Sequence, residues 1–502
     1  MFPLCTQPRS VSDVSRTHRW LAYIIATIEA MLWSGPMFGW ASLVHVLKTM
    51  GVYSHLCRGS AVGVDGDENL NATLQTANGF LPNSPPPDCA ARDQQFALIY
   101  TASVFLYGAP GFLIGYCLHH LGLAFTRVVG GSLMVGGFVL LSFTSQQTPS
   151  FLWGAAMLLS IGANTSRMAG LQLANFFPKR RDAAMSVISG LYTPSAALFI
   201  ILQYACEAGY SWTYSCLAFA GAASFILLAT PLMPRHHVPY THDKEKTEEM
   251  QRHKTPPPSL PLQESLMSIS SFLYTYWLFS NLYAGTTFSI NFNSWINKFS
   301  RSVEETAHYS RMYGYANIMC IFSSPLPSLL VDAVTNNAQK GKSGLPKQLA
   351  IAQAMAIPLF LAIVMAIVQD SMLLFQSSAA VYVGLVFLII NRPTCFSVGN
   401  PFVRIRFPAD HFNRMIGIQD TVISIMLLVQ YPYFTWAQHQ YYLAMGCFLV
   451  GLALSFTLPL HLCSKKYLSR VLQPEHHVVQ EETAKMYQVP SEFCSLQLLS
   501  QA

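Results

Sequence analysis

Among the ionisable side chains inside the long apolar runs of this chain are Glu29, Arg167, Arg392 and Asp420. A charged group in hydrocarbon costs several kcal/mol unless it is paired or faces water, so each is a candidate for binding a polar ligand. Glu29 and Arg167 each lie about ten residues from the same end of their runs, which places both at a similar depth. We predict that they face each other across a central cavity, directly or across a substrate. The alternatives are a purely structural ion pair, or an Arg167 side chain that reaches the membrane surface.

Arg392 follows Asn391 in the middle of its run, where the five N–H donors of a guanidinium would suit a polar substrate. The alternative is a structural partner within the protein. Asp420 lies near the start of another run, and we predict that it balances Arg392 or Arg414. A direct part for Asp420 in transport is a further hypothesis.

The run 269–296 is rich in aromatic and amide side chains, among them Tyr283 and Asn291. Such groups suit a flat, uncharged ligand that forms hydrogen bonds. The alternative is that they join neighbouring helices to one another. We predict that Tyr283 and Asn291 contact substrate.

The elements that position these side chains follow from composition. Only 11% of the residues are charged and 52% are hydrophobic, whereas a soluble domain is about 25% charged. The chain is therefore predicted to be an all-α membrane protein with twelve transmembrane helices, since about 20 apolar residues cross a bilayer. The predicted spans are 20–47, 96–118, 128–143, 151–177, 183–206, 211–232, 269–296, 312–334, 349–368, 379–404, 415–436 and 441–462.

The polar segments between the spans define the domains. The predicted segments are a cytoplasmic N-terminus (1–19), a first six-helix half (20–232) with an extracellular loop (48–95), a cytoplasmic linker (233–264), a second six-helix half (265–462) and a cytoplasmic tail (463–502). Lys and Arg cluster in the loops on one side, which predicts that both termini are cytoplasmic.

The long loop 48–95 carries signs of an extracellular location. The sequon at Asn71 lies between Cys57 and Cys89. A sequon predicts glycosylation in a loop outside the cell. The two cysteines could form a disulfide if the loop faces an oxidising compartment.

The two halves echo each other. Phe177-Pro178, followed by Arg181, closes the fourth span; Phe407-Pro408, followed by Arg414, closes the tenth, six spans later. Matches at corresponding spans indicate two six-helix halves with a parallel repeat. That is the major facilitator fold, which binds substrate near the bilayer midplane between the halves.

Several classes of function are excluded by absent motifs. The sequence has no P-loop, no G-x-S-x-G, no H-E-x-x-H and no C-x-x-C. We therefore predict no enzyme activity, no cofactor and no metal site. The net charge of +6 is explained by membrane topology rather than by nucleic-acid binding. The predicted partners are a small-molecule substrate and the bilayer, and the chain is predicted to be a monomer.

Particular stretches resemble solute carrier family 43. Glu29 followed by Phe-Gly-Trp-Ala-Ser-Leu-Val at 38–44 resembles its first span, and Phe-Pro-Ala-Asp-His-Phe at 407–412 resembles its exit from span ten. The family contains facilitators of large neutral amino acids and an equilibrative nucleobase transporter. The stretches 232–240 and 95–101 are more similar to the nucleobase branch. The resemblance implies sodium-independent facilitated exchange of purine nucleobases (adenine, guanine, hypoxanthine) across the plasma membrane.

The resemblance also bears on individual residues. Glu29 and Arg392 match charged positions of the family, whereas Arg167 and Asp420 are unusual for it. Major facilitators carry G-x-x-x-D-R-x-G after span two; here Gly115 remains, but His119 and the next histidine replace the acid and the arginine.

An acid is kept at the matching point after span eight, Asp332. The predicted gating residues are Gly115, His119, Asp332 and Asp420. The predicted substrate-binding residues are Glu29, Arg167, Arg392, Asn291 and Tyr283.

Three functions remain open at this point. The first is a nucleobase facilitator. The second is a facilitator of large neutral amino acids such as leucine and phenylalanine, whose zwitterion Glu29 and an arginine would bind. The third is a non-transporting membrane receptor or regulator, which only the replaced motif after span two favours.

Overall fold

A computed structural model describes residues 14–61, 89–177, 181–235, 262–342, 344–407 and 411–464. The sequon at Asn71, most of the linker and the tail from residue 465 lie outside these ranges. The described part contains twelve long helical segments: α1 (Arg16–Thr49), α2 (Ala90–Leu118), α3 (Leu123–Ser142), α4 (Phe151–Leu171), α5 (Val187–Glu207), α6 (Trp212–Leu232), α7 (Ile269–Asn297), α8 (Glu304–Gln339), α9 (Leu349–Leu374), α10 (Ser378–Arg406), α11 (Arg414–His439) and α12 (Tyr441–Cys463).

Helix length and hydropathy suit a bilayer. Ten of the twelve segments are long and apolar enough to cross a membrane by composition alone. The other two, α4 and α7, complete the set and carry internal polar clusters. Large apolar side chains on the outer surface are well exposed, such as Leu228 at 74% and Leu460 at 66%. Exposed apolar and buried polar groups are the arrangement expected of a bundle that has lipid as its solvent.

Helix α1 is broken near its middle. A helical stretch Arg16–Trp33 is followed by a 3-10 turn, Pro36–Gly39, and a second stretch, Trp40–Thr49. Pro36 lacks an N–H and cannot continue an α-helix from the preceding turn. The turn packs closely on α5, because a Cβ atom added at Gly39 would overlap the carbonyl oxygen of Ala196. The break therefore lies against α5 in the core of the bundle.

Replacing Gly39 with Ala is expected to lower the unfolding free energy by about 1–3 kcal/mol, because the new methyl group meets backbone that cannot rotate away. The matched control is Gly221→Ala on α6, where a Cβ atom would meet nothing within 4 Å. Thermal unfolding of the purified proteins in detergent measures the difference. Equal melting temperatures for the two variants would contradict the close contact between α1 and α5.

Several helix boundaries differ from the predicted spans. Helix α3 begins at Leu123, whereas the predicted span begins at residue 128. Arg127 therefore lies within the helix and not in the turn before it, where the sequence analysis places it. Helix α8 extends beyond the predicted span 312–334 at both ends, and α9 extends beyond the predicted span 349–368 at its C-terminal end. Ser302 explains the early start of α8, since its side chain caps the helix by accepting a hydrogen bond from the Glu305 N–H. Polar end turns of this kind are invisible to a search for apolar runs.

The two ends of the bundle are named here by their covalent features. Cys57 and Cys89 form a disulfide bond with Cα atoms 5.7 Å apart, which confirms the predicted pairing. The end that carries this bond is called the disulfide end. The opposite end, where α6 ends at Leu232 and α7 begins at Ile269, is called the linker end.

The two halves touch near the linker end. Helix α2 packs on α11 so closely that a Cβ atom on Gly417 would lie 3.1 Å from the carbonyl oxygen of Gly111. Nearby, the side-chain amide of Asn400 on α10 donates to Ser189 Oγ on α5 at 2.8 Å. Small residues allow this approach of two backbones, and together the contacts close the linker end.

The halves also touch at the disulfide end. Asn293 Nδ2 on α7 donates to the carbonyl oxygen of Ala41 on α1 at 2.8 Å. An ion pair joins α5 to α8, with Arg311 Nη1 3.3 Å from Glu207 Oε2. With contacts between the halves at both ends, the structure is that of an occluded state.

Candidate substrate site between the two halves

Two small cavities lie side by side between the halves. Both are lined by Phe38, Leu282 and Thr286, which therefore form the wall between them. Each cavity has a volume of about 20 Å³, which is room for roughly one water molecule. The centre of the occluded bundle is thus nearly filled by side chains.

Aromatic rings from both halves meet at this centre. The ring of Phe38 on α1 lies edge-on to Tyr107 on α2 and Tyr192 on α5, with centroid distances of 5.2 and 5.6 Å. Tyr192 in turn lies 5.2 Å from Phe396 on α10 of the other half. Edge-to-face rings at these distances attract one another, and they offer flat apolar faces to a ligand.

Amide side chains of the second half line the first cavity. Asn281 on α7, Gln369 on α9 and Asn391 on α10 all border it. Asn391 Nδ2 donates weakly to Gln369 Oε1 at 3.3 Å. Asn281 Oδ1, Asn391 Oδ1 and Gln369 Nε2 are buried and make no hydrogen bond within the described residues. A buried polar atom without a partner costs about 1–3 kcal/mol, so these groups are poised to bind a ligand.

Arg392 borders the same cavity and ties the halves together. Its Nη2 atom donates to the carbonyl oxygen of Phe38 at 2.7 Å and to Ser289 Oγ at 3.2 Å. Its Nη1 atom donates to Asn317 Oδ1 and, at 3.4 Å, to the hydroxyl of Tyr313. Arg392 thus lies beside the cavity, but its Nη donors have the structural partners that the alternative expected, and a direct contact with substrate stays a prediction.

Glu29 and Arg167 do not face each other, so that prediction is wrong. Both carboxylate oxygens of Glu29 accept from Arg127 on α3, each at 2.7 Å. Arg167 Nη2 instead donates to Asp420 Oδ2 on α11 at 2.6 Å. Equal depth in two helices does not fix the direction in which a side chain points. The two parallel hydrogen bonds between the Arg127 guanidinium and the Glu29 carboxylate are the strongest arrangement for such a pair. The Glu29–Arg127 pair lies within the first half, away from the cavity linings.

The Arg167–Asp420 pair joins the two halves beside the second cavity. Asp420 lines that cavity, and both side chains are buried. The guanidinium of Arg167 lies over Phe396 with its carbon 4.7 Å from the ring centroid. The sequence analysis predicts Arg392 or Arg414 as the partner of Asp420, and this prediction is wrong. The partner is Arg167, which lies on α4 in the other half of the chain.

The two residues on α7 that are predicted to contact substrate, Tyr283 and Asn291, line two other pockets. Tyr283 lines a lateral apolar pocket of about 510 Å³ between α7, α11 and α12. Asn291 lines a pocket of about 310 Å³ at the disulfide end. The structure therefore brings neither residue to the cavities at the centre.

The predicted gating residues are also dispersed. Gly115 on α2 faces open space, since a Cβ atom there would meet nothing within 4 Å. The side chain of His119 lies outside the described part of the structure. Asp332 is half-buried on α8, and Asp420 belongs to the ion pair between the halves. A gating role for the first three stays a prediction.

Sequence reasoning missed Arg127, the partner of Glu29, because its position was predicted to lie in a turn. It also did not single out the central rings of Tyr107, Tyr192 and Phe396. Gln369 and Asp370 follow directly after the predicted end of the ninth span. Asp370 is fully buried, and neither carboxyl oxygen makes a hydrogen bond within the described residues. A polar pair at the edge of an apolar run was the available signal.

Comparisons with known proteins agree with this architecture. The model of the Major Facilitator Superfamily matches residues 20–431. Equilibrative nucleobase transporter 1 of Bos taurus is 24% identical over 459 residues, which cover 82% of this chain and 88% of that protein. Large neutral amino acids transporter small subunit 3 of Homo sapiens is 24% identical over 213 residues, covering 42% of this chain and 36% of that protein.

A solved structure shows the same fold. The proton:xylose symporter XylE bound to 6-bromo-6-deoxy-D-glucose superposes with a TM-score of 0.58 at 11% sequence identity. The match covers 90% of this chain and 97% of that one. At this identity the likeness concerns the fold alone.

Proposed function

The chain belongs to the Major Facilitator Superfamily, and from that premise we propose that it carries uncharged purine nucleobases across the plasma membrane. In this proposal the protein works by alternating access, without sodium and down the gradient of its substrate. The similarity to the bovine nucleobase transporter along most of both chains supports the substrate class. The amino acid transporter, by contrast, matches less than half of either chain.

The observation that carries the proposal is the chemistry of the first cavity. A purine base is a flat ring system with hydrogen-bond donors and acceptors along its edge. Once the halves move apart and the cavity widens, the rings of Phe38 and Tyr192 would offer faces against which it stacks. Amide side chains pair with such edges through one donor and one acceptor, and Asn281, Gln369 and Asn391 supply three of them at one place.

The charges near the centre favour an uncharged substrate. Asp420 is the acidic residue in the linings of the two cavities, and it is paired with Arg167 at 2.6 Å. Glu29 is held by Arg127 at 2.7 Å. A zwitterion would need a carboxylate for its ammonium group and a cation for its carboxylate. The carboxylate would have to be taken from an existing buried pair, which is strongly unfavourable unless the ligand replaces the lost partner.

One observation favours an amino acid substrate instead. The Arg167–Asp420 pair borders the second cavity and carries opposite charges in contact. A zwitterion that entered between them would exchange one ion pair for two. This alternative predicts leucine uptake that depends on both Arg167 and Asp420.

The test is uptake of radiolabelled adenine and leucine by cells that express the full chain, with and without sodium. The proposal expects adenine uptake that is insensitive to sodium and blocked by excess hypoxanthine. Leucine uptake without adenine uptake would favour the amino acid alternative. Absence of both, with the protein present at the cell surface, would contradict transport of either class.

Replacing Gln369 with Ala is expected to raise the KM for adenine about tenfold, because the ligand loses a hydrogen bond worth about 1–3 kcal/mol. The matched control is Asn337→Ala, an amide exposed near the end of α8, which is expected to leave the KM unchanged. Concentration-dependent uptake at equal surface expression measures both values. An unchanged KM in the Gln369 variant would remove this residue from the site.

A further inference from the structure

A pocket at the disulfide end is built from both halves of the protein. It has a volume of about 310 Å³, within the range of small-molecule sites. The first half contributes Cys89, Ala90 and Asp93, and the second half contributes the ends of α7, α11 and α12. None of its lining residues borders the two central cavities, so it is a separate place.

The acid in this pocket is already satisfied. Asp93 Oδ1 lies 2.6 Å from Lys48 Nζ, and Asp93 Oδ2 accepts from Ser294 Oγ at 3.1 Å. This leaves Lys298, which lines the same pocket and remains partly exposed to solvent. Lys298 forms no ion pair within the described residues; its ammonium lies 4.0 Å from the ring centroid of Tyr441. The lining therefore has an unneutralised positive charge.

The ammonium group of Lys298, besides lacking a counter-charge among the described residues, is also partly withdrawn from water. Desolvation lowers the pKa of the Lys298 ammonium, because burial disfavours the charged form. An anion bound beside the ammonium would offset this loss of hydration. The position thus favours a negatively charged group on the ligand.

The rest of the lining favours a flat aromatic body on the same ligand. The indole of Trp295 and the rings of Phe434 and Tyr441 border the pocket. The side chains of Asn291 and Gln438 add hydrogen-bonding groups at its wall. Aromatic walls with a few polar groups and one cation match an aromatic ring that carries one carboxylate.

We propose that this pocket binds a small aromatic monocarboxylate while the disulfide end is closed. The lining comes from both halves, so it is complete only while that end is closed. A ligand that binds one conformation better than the others shifts the population toward it. The inference goes beyond the proposed function and does not depend on which substrate the central site takes.

The experiment uses purified full-length protein and radiolabelled benzoate, with benzamide as the uncharged analogue. Saturable benzoate binding that excess benzamide does not displace is expected for the wild type. Lys298→Met is expected to weaken benzoate binding about tenfold, and Lys298→Arg to keep it, because the charged hydrogen bond to the carboxylate is lost only in the first. Lys340→Met, an exposed lysine at the other end of the bundle, is the matched control and is expected to bind as the wild type does.

Thermal unfolding of each variant shows that the protein under test is folded. Equal binding by the wild type and Lys298→Met would overturn the proposal, as would absence of saturable binding to the wild type. Displacement of benzoate by adenine, with no dependence on Lys298, would place benzoate at the centre and also overturn it. Because the binding assay uses no transported substrate, a failure of adenine uptake leaves this test intact.

Discussion

Replacing Arg392 with Lys is expected to reduce uptake about a hundredfold. The guanidinium of Arg392 joins the carbonyl oxygen of Phe38 in the first half to Ser289 and Asn317 in the second. A lysine ammonium is a single point with three donors and cannot reproduce this planar arrangement. Loss of two charge-assisted hydrogen bonds, at about 1.5–3 kcal/mol each, would destabilise the occluded state through which every transport cycle passes.

Initial uptake rates at equal surface expression, measured by biotinylation, give the size of this effect. Arg301→Lys is the matched control, since Arg301 is exposed before α8 and its exchange should leave the rate unchanged. A fall in surface expression of the Arg392 variant would indicate a folding defect. Wild-type uptake by a well-expressed Arg392→Lys protein would show that the contact with Phe38 is dispensable.

Replacing Glu29 with Gln is expected to lower the unfolding free energy by about 3–5 kcal/mol, because it leaves the buried Arg127 without a counter-charge. The two side chains are almost fully buried, at 5% and 2% exposure. Thermal unfolding and surface expression of the full chain measure the loss. The effect is structural, because Glu29 does not line the central cavities.

The double replacement Glu29→Leu with Arg127→Met tests whether Glu29 has only a structural role or also a direct part in transport. Exchanging both members of a buried ion pair for apolar groups of similar size is often neutral or stabilising. The double variant is therefore expected to recover most of the stability and to transport with an unchanged KM. A double variant that folds but does not transport would give Glu29 a direct part in the cycle.

The fold could be predicted because a bilayer permits few solutions. A backbone in hydrocarbon must satisfy its own hydrogen bonds, so apolar runs of membrane length become helices. The repeat of Phe-Pro with a following Arg at 177–181 and 407–414 then divided the helices into two halves. The predicted major facilitator fold is confirmed by the family match over residues 20–431 and by the superposition on a solved structure.

The partners of the buried charges could not be predicted in the same way. Sequence position gives the depth of Glu29 and Arg167, because each residue adds 1.5 Å along a helix. Which neighbour a side chain meets depends on the rotation of each helix about its axis, and twelve packed helices set those rotations together. Arg127 was the nearer partner of Glu29, but it had been assigned to a turn.

One cavity residue, Gln369, was missed for a second physical reason. A ligand site in a membrane bundle uses polar groups that lower the hydropathy of their own helix. Gln369 therefore ended the predicted ninth span at residue 368, although the helix continues through Leu374. A polar residue at the end of an apolar run can therefore fall outside the predicted span although it lines the cavity.

The break in α1 has a consequence for how transport specificity can change. The contact of Arg392 with residue 38 is made to a main-chain oxygen, whereas the ring of Phe38 faces the cavities. Substitutions at residue 38 can therefore reshape the surface that meets the ligand and still leave the acceptor for Arg392 in place. The side chain of residue 38 can therefore change under selection for a new substrate, while its main-chain oxygen keeps the contact with Arg392.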